Sequence, residues 1–412
     1  MNKNSDKSES LDGFDRRSLQ GVANLDLLAE IPTDVHERAS ARNLKLGLEA
    51  ADSVEDRTIT TFSRGSQPAF AGIKTFLKTP YCEDISQVGQ FDAAFLGVPF
   101  DTGTTYRSGA RFGPQSVRNI SALYDGYNLD LAVDLGQEMS MCDAGDVFTI
   151  PGNIEKSFDQ IDRAVSYIME KGTFPIIVGG DHSIGYPTVR GIAKHFDGNI
   201  GIVHFDRHID IMEKDMDERM HTTHYYHATN IPNVRPENLV QIGIGGWYGA
   251  RHGLKVARER DTTVMTIGDL ENMGIDRAVE AALEIAWKGC DAVYLSFDVD
   301  VVDGGIAPGT GSPEPGGLIP REALRALRQV AAEGIIGMEV VEISPPYDTS
   351  ESTAQLGCRA ILDVLGTMVK TEQIGSRSAK GKRPGTQGLH NSDALGGWEQ
   401  EAVLNPDATR RG

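Results

Sequence analysis

Short apolar runs recur along the middle of the chain, each bounded by Gly or Asp. They fall at residues 93–98, 174–178, 200–205, 239–244, 263–267, 292–297 and 337–341. Runs of this length, rich in β-branched residues, predict strands buried on both faces. Helical spacing lies between them. Phe158, Ile161, Val165 and Ile168 share one helix face, with Gly172 as a stop. Leu324, Leu327, Val330 and Ala331 repeat the pattern after Pro320, which suits a first helical turn. Strands alternating with helices predict an α/β fold, a mostly parallel sheet covered by helices on both faces. In such a sheet the active site lies beyond the carboxyl ends of the strands.

The two ends read differently. Residues 1–90 begin charged and Ser-rich and carry only short apolar clusters, around 25–31 and 70–77. They are expected to form an extension lying on the core or on a neighbouring subunit. Residues 91–371 form the expected catalytic domain. Residues 372–412 open with GSRSAKGKRPGTQG after a few residues and are expected to be a flexible polar tail. The 412 residues are 40% apolar and 24% charged, ordinary for a soluble globular protein. A formal charge of -19 argues against nucleic acid and anionic membrane partners and suits a cationic substrate. Four scattered cysteines, Cys82, Cys142, Cys290 and Cys358, read as reduced thiols, and the polar start MNKNSDKSES has no signal core. A cytoplasmic protein is expected.

Polar clusters follow directly after four predicted strands. FPIIV leads into Gly179-Gly180-Asp181-His182-Ser183, and IGIVHF into Asp206-Arg207-His208-Ile209-Asp210. AVYLSF leads into Asp298-Val299-Asp300, and MEVV into Glu342. In extended chain, residues i, i+2 and i+4 point the same way, so Asp206, His208 and Asp210 converge, as do Asp298 and Asp300. Each motif alone reads equally well as a turn or a solvated loop. Together, four carboxylates and two imidazoles at one sheet edge exceed what one divalent ion needs and suit two ions that share ligands.

The set GGDHS, DRHID, SFDVDVVDGGIAPGTGSPEPGG and VVEISPPYD resembles the arginase/agmatinase (ureohydrolase) family, and GVPFDTGTTYRSGARFGPQSVR resembles its agmatinase branch. The resemblance covers roughly residues 91–369. It implies a three-layer α/β/α fold, a homotrimer or homohexamer, and two divalent ions per subunit, Mn2+ or, in guanidine-specific members, Ni2+. It further implies that His182 and Asp210 hold one ion, that His208 and Asp300 hold the other, and that Asp206 and Asp298 bridge them. Glu342 matches the family glutamate that holds the guanidinium. His221 matches the histidine that shuttles protons at the leaving group, with His224 and His227 as alternatives. Asp210 would pass a proton to the leaving nitrogen after activated water attacks the guanidinium carbon. His36, His195, His204, His252 and His390 are read as structural.

Two departures bear on the substrate. The family usually has Ala where Arg207 stands. Arg207 faces away from the metal side and suggests an ion pair behind the site. Many agmatinases carry Arg where Gly245-Gly246-Trp247 stands here. Tyr225, Tyr226, Trp247 and Tyr248 are either loop packing or a roof over the pocket. As a roof, with Trp247 binding substrate, they would leave room for a small guanidino compound. Free guanidine is the favoured substrate, with agmatine or 4-guanidinobutanoate as the alternative. Both DRHID and GIGGW resemble the guanidine-hydrolysing branch. Deacetylation on the same fold is disfavoured by the complete ligand set, as is a non-catalytic subunit of a hetero-oligomer.

Overall fold

The computed structural model describes residues 69–248 and 251–376. The expectations for residues 1–68 and 377–412, with His36 and His390, lie outside the described residues. Eight strands form one sheet: β1 (Ala93–Val98), β2 (Met141–Asp146), β3 (Phe174–Gly179), β4 (Ile200–Phe205), β5 (Val234–Ile244), β6 (Thr263–Thr266), β7 (Ala292–Asp298) and β8 (Met338–Val341). Their order is β2-β1-β3-β8-β7-β4-β5-β6, and every neighbouring pair is parallel.

Helices cover both faces: α1 (Gly113–Ser121), α2 (Ile154–Glu170), α3 (Gly185–Ala193), α4 (His224–Ala228), α5 (Arg251–Glu259), α6 (Ile267–Met273), α7 (Ile275–Ala286), α8 (Pro320–Glu333) and α9 (Ser352–Lys370). The strands alternate which residue faces which layer. Phe95, Ile176, Val203, Phe297 and Val340 pack with α1, α7, α8 and α9. Leu96, Ile177, Ile202 and Tyr294 pack with α2, α3, α4 and α5. The result is the three-layer α/β/α arrangement. The runs are apolar throughout because both faces are buried. Among the described residues no helix is long and apolar enough to cross a membrane.

The strand β2, MCDAGD, has no apolar run to mark it. It pairs with β1, buries Met141 and Cys142, and adds charge pairing at the sheet edge. Buried Asp143 pairs with Arg118 of α1 at 2.7 Å and accepts the Phe76 N–H at 2.8 Å. Phe76 in turn stacks on Phe95, with ring centroids 4.8 Å apart. Residues 76–90, which composition placed in the extension, are thus fastened to this edge. At the other end, the boundary drawn at residue 372 differs from the structure. Gln373 donates to the carbonyls of Ala331 and Ala332 at the end of α8, and Ile374 is buried. Ser376 N–H donates to the Glu138 carbonyl at 2.6 Å.

Phe76 has no exposed surface. Phe76→Ala should cost about 3–5 kcal/mol, as large-to-small core changes do. The midpoint of urea unfolding reads this. A change below about 1 kcal/mol would mean that residues 76–90 lie outside the cooperative core.

Candidate metal centre and active site

The four central strands of the sheet, β3, β8, β7 and β4, are neighbours. Their carboxyl ends deliver His182, Glu342, Asp298 with Asp300, and Asp206 with His208 and Asp210. The turn after β3 needs glycine at 180, because a Cβ there would collide with the Phe100 carbonyl. That close approach lets Asp181 N–H reach the Phe100 carbonyl at 2.8 Å and turns the chain so that His182 faces inward. Asp210 and Glu342 hold left-handed backbone, φ 34° and 64°. Non-glycine residues adopt it at a cost of roughly 1–3 kcal/mol each, and such strain concentrates at functional sites.

The convergence is tight. His182 Nδ1 lies 3.1 Å from Asp206 Oδ2, 3.1 Å from Asp298 Oδ2 and 3.6 Å from Asp210 Oδ2. His208 Nδ1 lies 3.0 Å from Asp300 Oδ2 and 3.4 Å from Asp206 Oδ1. Two sets of donor atoms follow, His182–Asp206–Asp210 and Asp206–His208–Asp300, each with its atoms within 4.8 Å of one another. Asp206 belongs to both. A third set, His182–His204–His224, also has its ring nitrogens within 4.8 Å of one another, but it contains no carboxylate and its rings pack on one another, His204 edge-on to the other two. The His182 and His224 ring centroids are 4.1 Å apart at 25°, and His224 Nδ1 lies 2.7 Å from the His221 carbonyl.

Burial and mutual repulsion dominate the charges. Burial and the Asp206 charge push Asp210 well above the ordinary carboxylate range, and burial with the Asp300 charge does the same to Asp298. Burial opposes protonation of His182 and His208. Contacts with Asp206 and Asp298, and with Asp300, outweigh it and raise both imidazoles well above their usual value. Asp206 is held well below its ordinary range, against burial, by His204, His182 and His208. Among the described residues, no lysine or arginine side chain pairs with any of the four aspartates. The His208 Nε2 is buried without a partner. A desolvated set of oxygen and imidazole donors that lacks organic cations fits divalent metal ions.

A layer of polar side chains stands behind the donors. Ser296 Oγ lies 2.9 Å from His182 Nε2, and His204 Nε2 lies 2.8 Å from Asp206 Oδ2. Buried Glu339 lies 3.7 Å from His182 Nε2. Such contacts fix imidazole orientation. His195, by contrast, pairs with Ser166 away from the site. Asp181 sits in the motif but is not aimed at the donors. Its oxygens accept the N–H groups of Gly103 and Ser183. Burial and the Glu342 charge raise it to about 6.

Of the three histidines after the metal-bearing strand, the structure brings His221 to Glu342. Its Nδ1 lies 2.9 Å from Glu342 Oε1 and its Nε2 lies 2.8 Å from Thr105 Oγ1. Burial lowers its basicity, but the hydrogen bond and charge of Glu342 raise it to about 9. Glu342 Oε1 also accepts the His182 N–H at 3.0 Å. His224 is locked behind His182, and His227 lies beside the Glu218 carbonyl at 2.7 Å.

The aromatic roof takes a different form from the one expected. Tyr225 has no exposed surface and packs on His204 at 4.6 Å, as core. Tyr226 lies under Arg260, 3.8 Å from its ring. The Trp247 ring is 97% exposed and does not reach the site. A positive φ at Gly246 and a hydrogen bond from Trp247 N–H to Glu314 Oε1, 2.6 Å, turn it outward. Only Tyr248 approaches, its ring 5.7 Å from that of His208. The ion pair expected behind the site is present. Arg207 Nε donates to Glu314 Oε2 at 3.0 Å, both side chains largely buried. Sequence reasoning did not find Glu314, Ser296, Glu339 or Thr105. The one available signal was the charge of Glu314 inside the apolar, Gly/Pro-rich SPEPGG.

A guanidinobutyrase from Pseudomonas aeruginosa is 33% identical over 299 residues, covering 72% of this chain and 93% of that protein. An agmatinase from Proteus mirabilis is 35% identical over 288 residues, 69% of this chain and 88% of that protein. The solved proclavaminate amidino hydrolase of Streptomyces clavuligerus superposes with a TM-score of 0.69 at 32% identity, covering 74% of this chain and all of that one. The model of the arginase family matches residues 91–366. With that match, these relatives and the shared fold, the chain belongs to the arginase family.

Proposed function

We propose that this chain hydrolyses a small cationic guanidino compound to urea and ammonia or an amine, with free guanidine as the favoured substrate. The observation that carries the reading is the Glu342–His221 pair beside a buried cluster of four aspartates. His182 and Asp210 would hold one divalent ion and His208 and Asp300 the other, with Asp206 and Asp298 shared, and nickel or manganese suits these donors. When bound, the ions would supply a nucleophile from water near neutral pH. Glu342 accepts the guanidinium N–H groups and fixes the planar carbon over the aspartates. Water adds to that carbon and the bond to one nitrogen breaks. Asp210 passes a proton to that nitrogen, and His221, held by Glu342 and Thr105, exchanges protons with solvent. Free guanidinium and water give urea and ammonium.

The small-substrate reading draws on the arginines of the flanking loops. Arg107 donates to the Thr310 and Gly311 carbonyls, and Arg207 is spent on Glu314. Neither is offered to a carboxylate tail, which disfavours 4-guanidinobutanoate. Agmatine is the second reading. The exposed acidic stretch with Glu213, Asp215, Asp217 and Glu218, between Asp210 and His221, suits a cationic tail.

Elemental analysis of active protein should give about two ions per chain. Asp206→Ala should lose both, because both donor sets use it, whereas His182→Ala should mainly weaken one. An Asp206→Ala protein that keeps a full ion contradicts the shared-ligand assignment. Urea release across a panel, with nickel and manganese each supplied, tests the substrate. Guanidine should show the highest kcat/KM. A higher value for agmatine selects the second reading, and no urea from any compound selects the non-catalytic subunit.

A further inference from the structure

Arg207 stands between two ligand candidates, in the bend that follows β4, and its side chain points the other way, to Glu314. Its guanidinium is buried between the loop after β5 and the loop after β7. Nε reaches Glu314 at 3.0 Å and Nη2 reaches the Pro315 carbonyl at 3.3 Å. The other oxygen of Glu314 takes the Trp247 N–H at 2.6 Å. The backbone of Arg207 completes the tie. Its N–H donates to Asp300 Oδ1 at 3.2 Å, and its carbonyl accepts the Gly245 N–H at 3.1 Å. One residue therefore links a metal-site carboxylate, the loop after β7 and the loop after β5.

The pair also dictates which residues the loop can hold. A Cβ on Gly245 would sit 2.8 Å from Arg207 Nη1, and a Cβ on Gly246 would overlap the Glu314 carboxylate. The glycine pair and the arginine are one device read at two places in the sequence. Burying such an ion pair is a weak source of stability, because desolvating two charges costs several kcal/mol. What it fixes is position. The residue after Trp247 is Tyr248, whose ring lies 5.7 Å from that of His208, on the more open side of the donor cluster.

We propose that Arg207 and Glu314 are positioning residues that set substrate size: they pin the 245–248 loop beside His208 and so limit what the guanidinium can carry on that side. The proposal rests on the reading that the guanidinium lies on Glu342. It predicts that loosening the pin admits longer guanidino compounds at the expense of guanidine.

The test compares Arg207→Ala, Glu314→Ala and the double alanine variant with wild type in the full-length, metal-loaded protein. The single variants leave one buried charge unpaired. The double variant removes both and carries the test if a single fails to fold. The kcat/KM ratio of agmatine to guanidine should rise about tenfold or more, since small misplacements near a reacting centre cost that much. Hydrogen exchange at the Trp247 amide, which loses its acceptor in Glu314→Ala and in the double variant, should speed up there by about tenfold or more. Bound metal should equal wild type. Glu314→Gln, which keeps an acceptor for that amide, should restore slow exchange in large part. A folded double variant with wild-type metal whose ratio and exchange stay within about twofold of wild type overturns the proposal. So does metal loss, which would place the pair in the metal centre, or failure of every variant to fold, which would make it purely structural. A wild type that prefers agmatine defeats the small-substrate reading alone. The positioning role is still judged by the change from wild type to variant.

Discussion

Four aspartates and two imidazoles are drawn out of water at one edge of the sheet, and Asp206 touches both halves of the group. Like charges about 4 Å apart cost roughly 4 kcal/mol per pair at an effective dielectric near 20. No fold tolerates that crowding without a return, and here the return is a pair of donor sets with a common member. Much else follows from holding it. The donors ride on adjacent parallel strands whose spacing is set by backbone hydrogen bonds. Asp210 and Glu342 accept left-handed backbone to aim their carboxylates. Ser296, His204 and Glu339 stand behind to keep the rings and oxygens from relaxing away.

The same constraint explains what could be read from the chain. Asp206, His208 and Asp210 are legible because they crowd directly after a strand, as do Asp298 and Asp300. The alternation of extended chain expected for them is not what aligns them, since the chain bends at 207–208, Asp210 has left-handed backbone and Asp300 lies in a 3-10 helix, Val299–Val301. The sheet is legible where its strands are buried on both faces and so spelled as apolar runs. Strand β2 is not, because only Met141 and Cys142 of it enter the apolar core, and the rest is held by the pairing of Asp143 and Asp146 with Arg118. Glu314 and Glu339 escaped because their partners lie far off in sequence, 107 residues in the case of Arg207 and Glu314. The aromatics stayed open between packing and a roof because local pattern does not separate a loop aromatic from a core one. Tyr225 belongs to the core beneath the site, whereas the Trp247 ring faces outward.

Membership of the arginase family agrees with the guanidino chemistry proposed for this site and leaves the choice among such substrates to this chain's own residues. There Arg207 and the glycine pair form one buried unit with Glu314 that touches Asp300 on one side and the 245–248 loop on the other. On the proposed reading, specificity and metal binding are thus physically adjacent. A change in the loop need not disturb the donors, because the contact with Asp300 runs through the backbone of Arg207.

The central claim is that the two donor sets are one centre joined through Asp206. Electron paramagnetic resonance of the protein titrated with Mn2+ tests it most directly. The account predicts that, as loading completes, the hyperfine pattern of isolated ions gives way to the spectrum of an exchange-coupled pair. A spectrum that at full loading and full activity still shows only isolated ions would contradict it.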